Sequence, residues 1–151
     1  MNEVEISLEG VEDLPWIEAL RGFALLALDA LGKSDWDLSI LFCDDAFIRG
    51  LNRQYRDKDE PTDVLSFEQG DRYRDPEGVE RLLAGDIVIS LGGLERNVAE
   101  FGVGADEELK RLVVHGILHL SGMDHADNDP AQPMLRAQEE LLATLPAARI
   151  L

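Results

Sequence analysis

The run DEELKRLVVHGILHLSG, Asp106 to Gly122, restricts the fold more than any other part of the chain. Asp106, Glu107 and Glu108 place negative charge where a helix N-terminus is partially positive. Leu109, Leu112, Val113, Gly116, Ile117 and Leu120 follow at helical spacing. The pattern predicts an amphipathic helix from about Asp106 to Leu120, whose apolar stripe must be buried against another layer. Gly122 stands where that helix should stop, because glycine takes the left-handed conformation after a helix end without a side-chain penalty.

All three histidines of the chain fall on or just after this helix, in HGILHLSGMDH. At about 100° per residue, His115 and His119 lie roughly 40° apart beside the centre of the apolar stripe, where two imidazoles can bind one metal ion. A third ligand further along the same helix would make a row, not a cup around a tetrahedral ion, so the chain must turn. A reversal at Gly122 can carry His125 back over the ion. The resulting H-x-x-x-H-x-x-G-x-x-H arrangement offers three neutral nitrogen donors and leaves a fourth position for water or substrate, as in catalytic sites. The competing reading is that one histidine is a satisfied core residue and the i, i+4 pair an ordinary surface pair. Three at this spacing, with the glycine in place, favour a metal.

Metzincin proteases share the spacing as H-E-x-x-H-x-x-G-x-x-H, but Gly116 occupies the position of their catalytic glutamate. Without that general base, activation rests on the Lewis acidity of a metal, and phosphoryl chemistry becomes a better expectation than proteolysis. Asp124, beside His125, is open to three roles: a base, an orienter of an imidazole, or a turn residue. The last two are favoured.

Elsewhere the periodicity predicts a strand at Glu3 to Leu8, a helix carrying Leu14, Ile17, Leu20, Ala24 and Leu28, and a strand at Trp36 to Phe42. A short helix through Phe47, Ile48 and Leu51 follows, then strands at Thr62 to Phe67 and Gly85 to Ser90, and a helix with Leu94, Val98 and Phe101. Glu68 to Ala84, punctuated by Gly70, Pro76 and Gly78, reads as a long mobile surface loop, with at most a helical turn at its end. With 151 residues, 45% of them hydrophobic, the chain can bury one sizeable core. The expected fold is α+β, a single domain over residues 1–151. A mixed sheet of about four strands packs with helices, and the three-histidine site lies at the end of a central helix.

The net charge of −17, from 31 acidic against 14 basic residues, repels phosphate backbones at long range. A nucleic-acid partner therefore requires local basic residues. Arg53, Arg56 and Lys58 form the densest such group near a motif, and Arg72 and Arg74 flank Tyr73 in the expected loop. Cys43, the single cysteine, excludes an internal disulfide and reads as a buried inert thiol in a reducing compartment. The start MNEVEISLEG lacks the basic region of a signal peptide, and IEALRGFALLALDALG is too short and too interrupted to span a bilayer, so a cytoplasmic location away from membranes is expected.

Three motifs in order, LNRQYRDKDEPTDVLSF, GDIVIS and HGILHLSGMDH, resemble the YbeY family of bacterial metal-dependent endoribonucleases involved in rRNA maturation. The likeness is motif-level from Leu51 to His125. It is one of element order elsewhere, including a C-terminal helix at Met134 to Leu142. It implies that His115, His119 and His125 hold one zinc ion, although nickel or copper would also accept three imidazoles. It also implies that Arg56, with Asn52 and Tyr55, belongs to an N-x-x-Y-R motif that contacts RNA or supports cleavage. A separate physical reason singles out Arg56, since a planar guanidinium can hold a phosphate bidentately and stabilise charge on its oxygens. A surface salt bridge with Asp57 or Asp59 is the competing reading.

The implied function is a single-strand-specific endoribonuclease acting in rRNA processing and ribosome quality control. Its partners would be rRNA on or near the small ribosomal subunit, with ribosomal proteins or a ribosome-assembly GTPase. The acidity of the chain suits a substrate presented on such a particle better than free RNA. Two alternatives stand beside this reading: a non-catalytic ribosome-assembly factor with a structural zinc, and a zinc peptidase or other metallohydrolase.

Overall fold

Alternating acidic and apolar residues build strand β1 at Glu3–Glu9, and the chain then winds through eight further elements in a computed structural model that describes residues 1–146 and 148–151. They are α1 (Ile17–Ala30), β2 (Trp36–Cys43), α2 (Asp45–Arg56), β3 (Val64–Arg74), β4 (Glu80–Ser90), α3 (Leu91–Phe101), α4 (Ala105–Leu120) and α5 (Pro133–Thr144). The four strands form one sheet in the order β1-β2-β4-β3. β1, β2 and β4 run parallel to one another, and β3 lies antiparallel on β4 as an edge. This is the expected mixed-sheet α+β architecture.

The strand period decides which side chains meet which helices. Trp36, Leu38, Ile40 and Phe42 of β2, with Ile87 and Ile89 of β4, join the main core beneath α1, α4 and α5, a cluster that runs from Val4 to Ile150. Leu41 and Cys43 of β2, Val88 of β4 and Leu65 of β3 belong to a smaller cluster with Ile48, Phe47 and Leu51 of α2. Cys43 is fully buried there, and burial pushes its thiol pKa up to about 12, which makes it the inert thiol expected. No described helix is long and apolar enough to cross a membrane.

α4 is the central helix. Leu109, Val113, Val114, Ile117 and Leu118 are almost completely buried along it. At Gly116 it approaches the sheet closely, since a Cβ built there would lie 2.7 Å from Cδ1 of Ile87. Its buried polar groups are partnered: Lys110 donates to the Ala148 carbonyl at 2.7 Å, and Glu108 accepts from Asn97 at 2.9 Å and from Arg111 at 3.0 Å.

One sequence expectation is corrected. Glu68 to Ala84 is not a loop but most of a long hairpin, in which β3 continues to Arg74 and β4 begins at Glu80. Its turn is built by Asp75, whose Oδ1 accepts from the backbone N–H of Glu77 and of Val79, each at 2.9 Å, with Gly78 at φ +84°. The hairpin is polar because most of its β3 half is exposed. Near its turn it is held by Arg81, which donates to Asp37 at 2.7 and 3.0 Å.

Candidate metal centre

The end of α4 both stops the helix and shapes the site. Ser121 is the C-cap, and Gly122 takes the left-handed φ of +95°. The Gly122 N–H donates to the His119 carbonyl at 3.0 Å and the Met123 N–H to the Leu118 carbonyl at 3.1 Å. That pair of bonds is a Schellman closure, and Met123 packs back on the core as such closures require. The reversal returns the chain over the last helical turn, where His125 meets the other two imidazoles at ring-centroid distances of 5.2 Å from His115 and 5.5 Å from His119.

The three half-buried histidines therefore come together as expected, with one ligand atom from each lying within 4.8 Å of the others. Their hydrogen bonds fix the tautomers. His115 Nδ1 faces Gln138 Oε1 at 2.7 Å, His119 Nδ1 faces the Met123 carbonyl at 3.1 Å, and His125 Nδ1 faces the Asp127 carbonyl at 2.9 Å. Each acceptor is an oxygen, so each Nδ1 carries the proton and each Nε2 keeps its lone pair. The Gln138 amide is itself oriented by its Nε2, which donates to Glu139 at 3.0 Å. Nε2 of His115 and of His119 stand only 3.1 Å apart with no proton to share. Metal–nitrogen bonds of about 2.0–2.1 Å in a tetrahedron set ligand nitrogens about 3.3 Å apart, so these residues fit a bound metal.

Burial is the main cause that lowers the His115 and His119 pKa values below the ordinary 6.5, and for His119 the neighbouring His115 adds to it. Both rings are thereby held in the neutral, ligand-competent form. Behind His115 an ion-pair chain keeps Gln138 in place: Arg111 holds Glu139 through two bonds of 3.0 Å and also binds Glu107 and Glu108. The Arg111 guanidinium holds the Glu139 carboxyl below the usual range.

His115 and His119 open onto a cavity of about 380 Å³ that Arg56, Ser66, Glu68 and Asp124 also line. Arg56 ends α2, and among the described residues it makes no ion pair; Arg49, not Arg56, binds Asp59 at 2.9 Å. The competing salt bridge to Asp57 or Asp59 is therefore absent. Asn52 is buried and ties the turn behind Arg56, donating to the Glu60 carbonyl at 2.9 Å while its own carbonyl accepts from Lys58 N–H at 3.3 Å. Asp124 accepts from the His125 N–H at 2.8 Å and is otherwise largely exposed, which is the behaviour of a turn residue at the cavity rim.

Not every candidate gathers here. Arg53 and Lys58 are exposed and do not line the cavity. Arg72 and Arg74 lie at the far end of the hairpin, where Arg74 donates to the Gly78 carbonyl at 3.0 Å and Tyr73 is bound to Asp37. Sequence reasoning missed Gln138 and Glu68. Gln138 carried a usable signal, because Met134, Gln138 and Leu141 share one helix face and a buried glutamine between two core residues needs a partner. Glu68 carried none, because the apolar strand pattern ends at Phe67.

Comparisons with known proteins agree with this geometry. Residues 11–146 match the family described as Endoribonuclease YbeY. An Endoribonuclease YbeY of Treponema denticola is 63% identical over 123 residues, 82% of this chain and 79% of the relative. That of Treponema pallidum, strain Nichols, is 54% identical over 143 residues, 95% of this chain and 89% of the relative. The solution structure of TM1509 from Thermotoga maritima superimposes with a TM-score of 0.61 at 27% identity, covering 91% of this chain and 86% of that one.

Proposed function

The chain belongs to the Endoribonuclease YbeY family, and from that premise we propose that it is a zinc-dependent endoribonuclease that cuts single-stranded rRNA during maturation. The observation that supports this reading best is the convergence of the three imidazoles on one point, across one cavity from an unpaired guanidinium.

The proposed ligands are Nε2 of His115, His119 and His125. A zinc ion held by them supplies Lewis acidity toward an oxygen of the scissile phosphodiester. Arg56 binds the non-bridging oxygens of that phosphate and stabilises the charge that grows on them, in a cavity partly closed to water. Gln138, Met123 and Asp127 hold the imidazole protons on Nδ1, so the donor set needs no rearrangement. Glu68 and Asp124 are the carboxylates at the cavity that can exchange a proton with substrate or leaving group.

Two observations favour this over the alternatives. A peptidase needs a glutamate at position 116, but that position faces Ile87 and a Cβ there already lies at 2.7 Å, so the missing carboxylate has no path to the site. A purely structural zinc is closed by four protein ligands, whereas three donors beside an open cavity leave a position for substrate. With a net charge of −17, we assign the working substrate to a ribosomal particle in the cytoplasm, where ribosomal proteins or an assembly GTPase bring RNA to the site. Metal analysis of the purified protein, with cleavage of single-stranded RNA by wild type, His119→Ala and Arg56→Ala, tests the reading. Bound zinc and loss of cleavage in both variants are expected, and equal cleavage by all three contradicts it.

A further inference from the structure

Tyr55 is the least explained residue near the cavity. It is 59% exposed at the end of α2, next to the cavity-lining Arg56. Its ring meets Phe67 edge-on, with centroids 5.2 Å apart at 63°. Both residues are sequence neighbours of residues that line the metal cavity. Tyr55 directly precedes Arg56, and Phe67 stands on β3 between Ser66 and Glu68, and these three neighbours all line the cavity. Because side chains alternate along a strand, Phe67 points to the opposite face, where it joins Tyr55, Leu51, Leu41 and Val88 around an apolar groove of about 420 Å³.

The surroundings decide what occupies this ledge. On the same helix Arg56 directly follows Tyr55, and among the described residues it forms no ion pair, in a chain with more than twice as many acidic as basic residues. An unpaired guanidinium beside an open aromatic ring suits a single nucleic-acid strand, with the cation on a phosphate and the π-face on a base.

We infer that Tyr55 and Phe67 form a nucleobase-stacking subsite for the nucleotide next to the scissile phosphate that Arg56 holds. This rests on the proposed RNA cleavage. The subsite selects unpaired RNA, since a base inside a duplex has no free face to give the ring. Tyr55 binds substrate and takes no part in bond breaking.

The test uses metal-loaded protein and a labelled single-stranded RNA cut at one position, with matched RNAs lacking the base at each flanking nucleotide in turn. Stacking on one aromatic residue corresponds to about a tenfold change in affinity. Tyr55→Ala is expected to raise KM about tenfold with kcat changed less than twofold, while Tyr55→Phe stays near wild type. On the RNA lacking the stacked base, wild type and Tyr55→Ala should converge, whereas on the other abasic RNAs they should still differ. An unchanged KM in Tyr55→Ala, or a difference that persists equally on every abasic RNA, overturns the subsite while leaving the nuclease reading intact. Should Tyr55→Ala fail to fold, the wild-type protein alone decides: no single base removal raising KM contradicts the subsite. RNA that survives wild-type protein in all arms overturns both readings.

Discussion

At the scale of single residues, the site depends on groups that never touch substrate. Gln138 is 6% exposed, and it holds the His115 proton on Nδ1 with the Arg111–Glu139 pair behind it. Gln138→Leu keeps the packing volume but releases that imidazole, and zinc affinity measured by competition with a chelator is expected to fall about 10- to 100-fold. Unchanged affinity would show that His115 orients itself. The histidines also set a pH dependence. His115 and His119 have folded-state pKa values lowered below 6.5, mainly by burial, so near and below that pH the unfolded chain binds protons that the folded chain refuses. Stability of the metal-free protein should therefore be level above about pH 7 and fall as pH drops through 6.5. Urea unfolding at pH 5.5 and 7.5, a window above the carboxylates, checks the sign. The three ligands were legible because their spacing lies on one helix and its cap. Gln138 was readable only as a buried glutamine in need of a partner, because that partner, His115, stands on α4, which α5 meets only in three dimensions.

At the scale of elements, α4 and the hairpin show opposite relations between pattern and structure. α4 is specified several times over, by its acidic first turn, its apolar stripe and its glycine stop, and it starts within one residue of its expected position. Gly116 adds a constraint that only packing reveals. Gly116→Ala should cost about 1–3 kcal/mol by overpacking against Ile87, and Ile87→Val in the same chain should restore part of the loss. Additive losses in thermal or denaturant unfolding would place the strain elsewhere. The hairpin reads as a loop because DRYRDPEGVERL has no apolar alternation to bury on its β3 side. The strand signal was the turn itself, with Asp75 accepting from two backbone N–H groups and Gly78 at positive φ. Its length carries Arg72 and Arg74 away from the cavity, so their joint replacement by alanine should leave cleavage within about twofold of wild type, in contrast to Arg56→Ala, which should lower kcat/KM about 100-fold or more.

At the scale of the whole molecule, one mixed sheet brings the end of α2, the edge strand β3 and the end of α4 to a single cavity. Class and strand number were readable from periodicity. The meeting of Arg56 with the histidines was not, since Arg56 and His115 stand 59 positions apart and only the folded chain brings them to one cavity. The net charge of −17 repels phosphate backbones at long range, so affinity for free RNA rests on a few local contacts. The central claim, that three imidazoles hold the zinc on which RNA cleavage depends, is tested most directly by adding zinc stepwise to metal-free protein. Bound zinc per chain and the rate of single-stranded RNA cleavage are measured in the same samples. Cleavage should rise in proportion to occupancy, level off at one zinc per chain, and stay at background in His119→Ala throughout. Full cleavage by the metal-free protein, or a His119→Ala curve that follows wild type, would contradict the account.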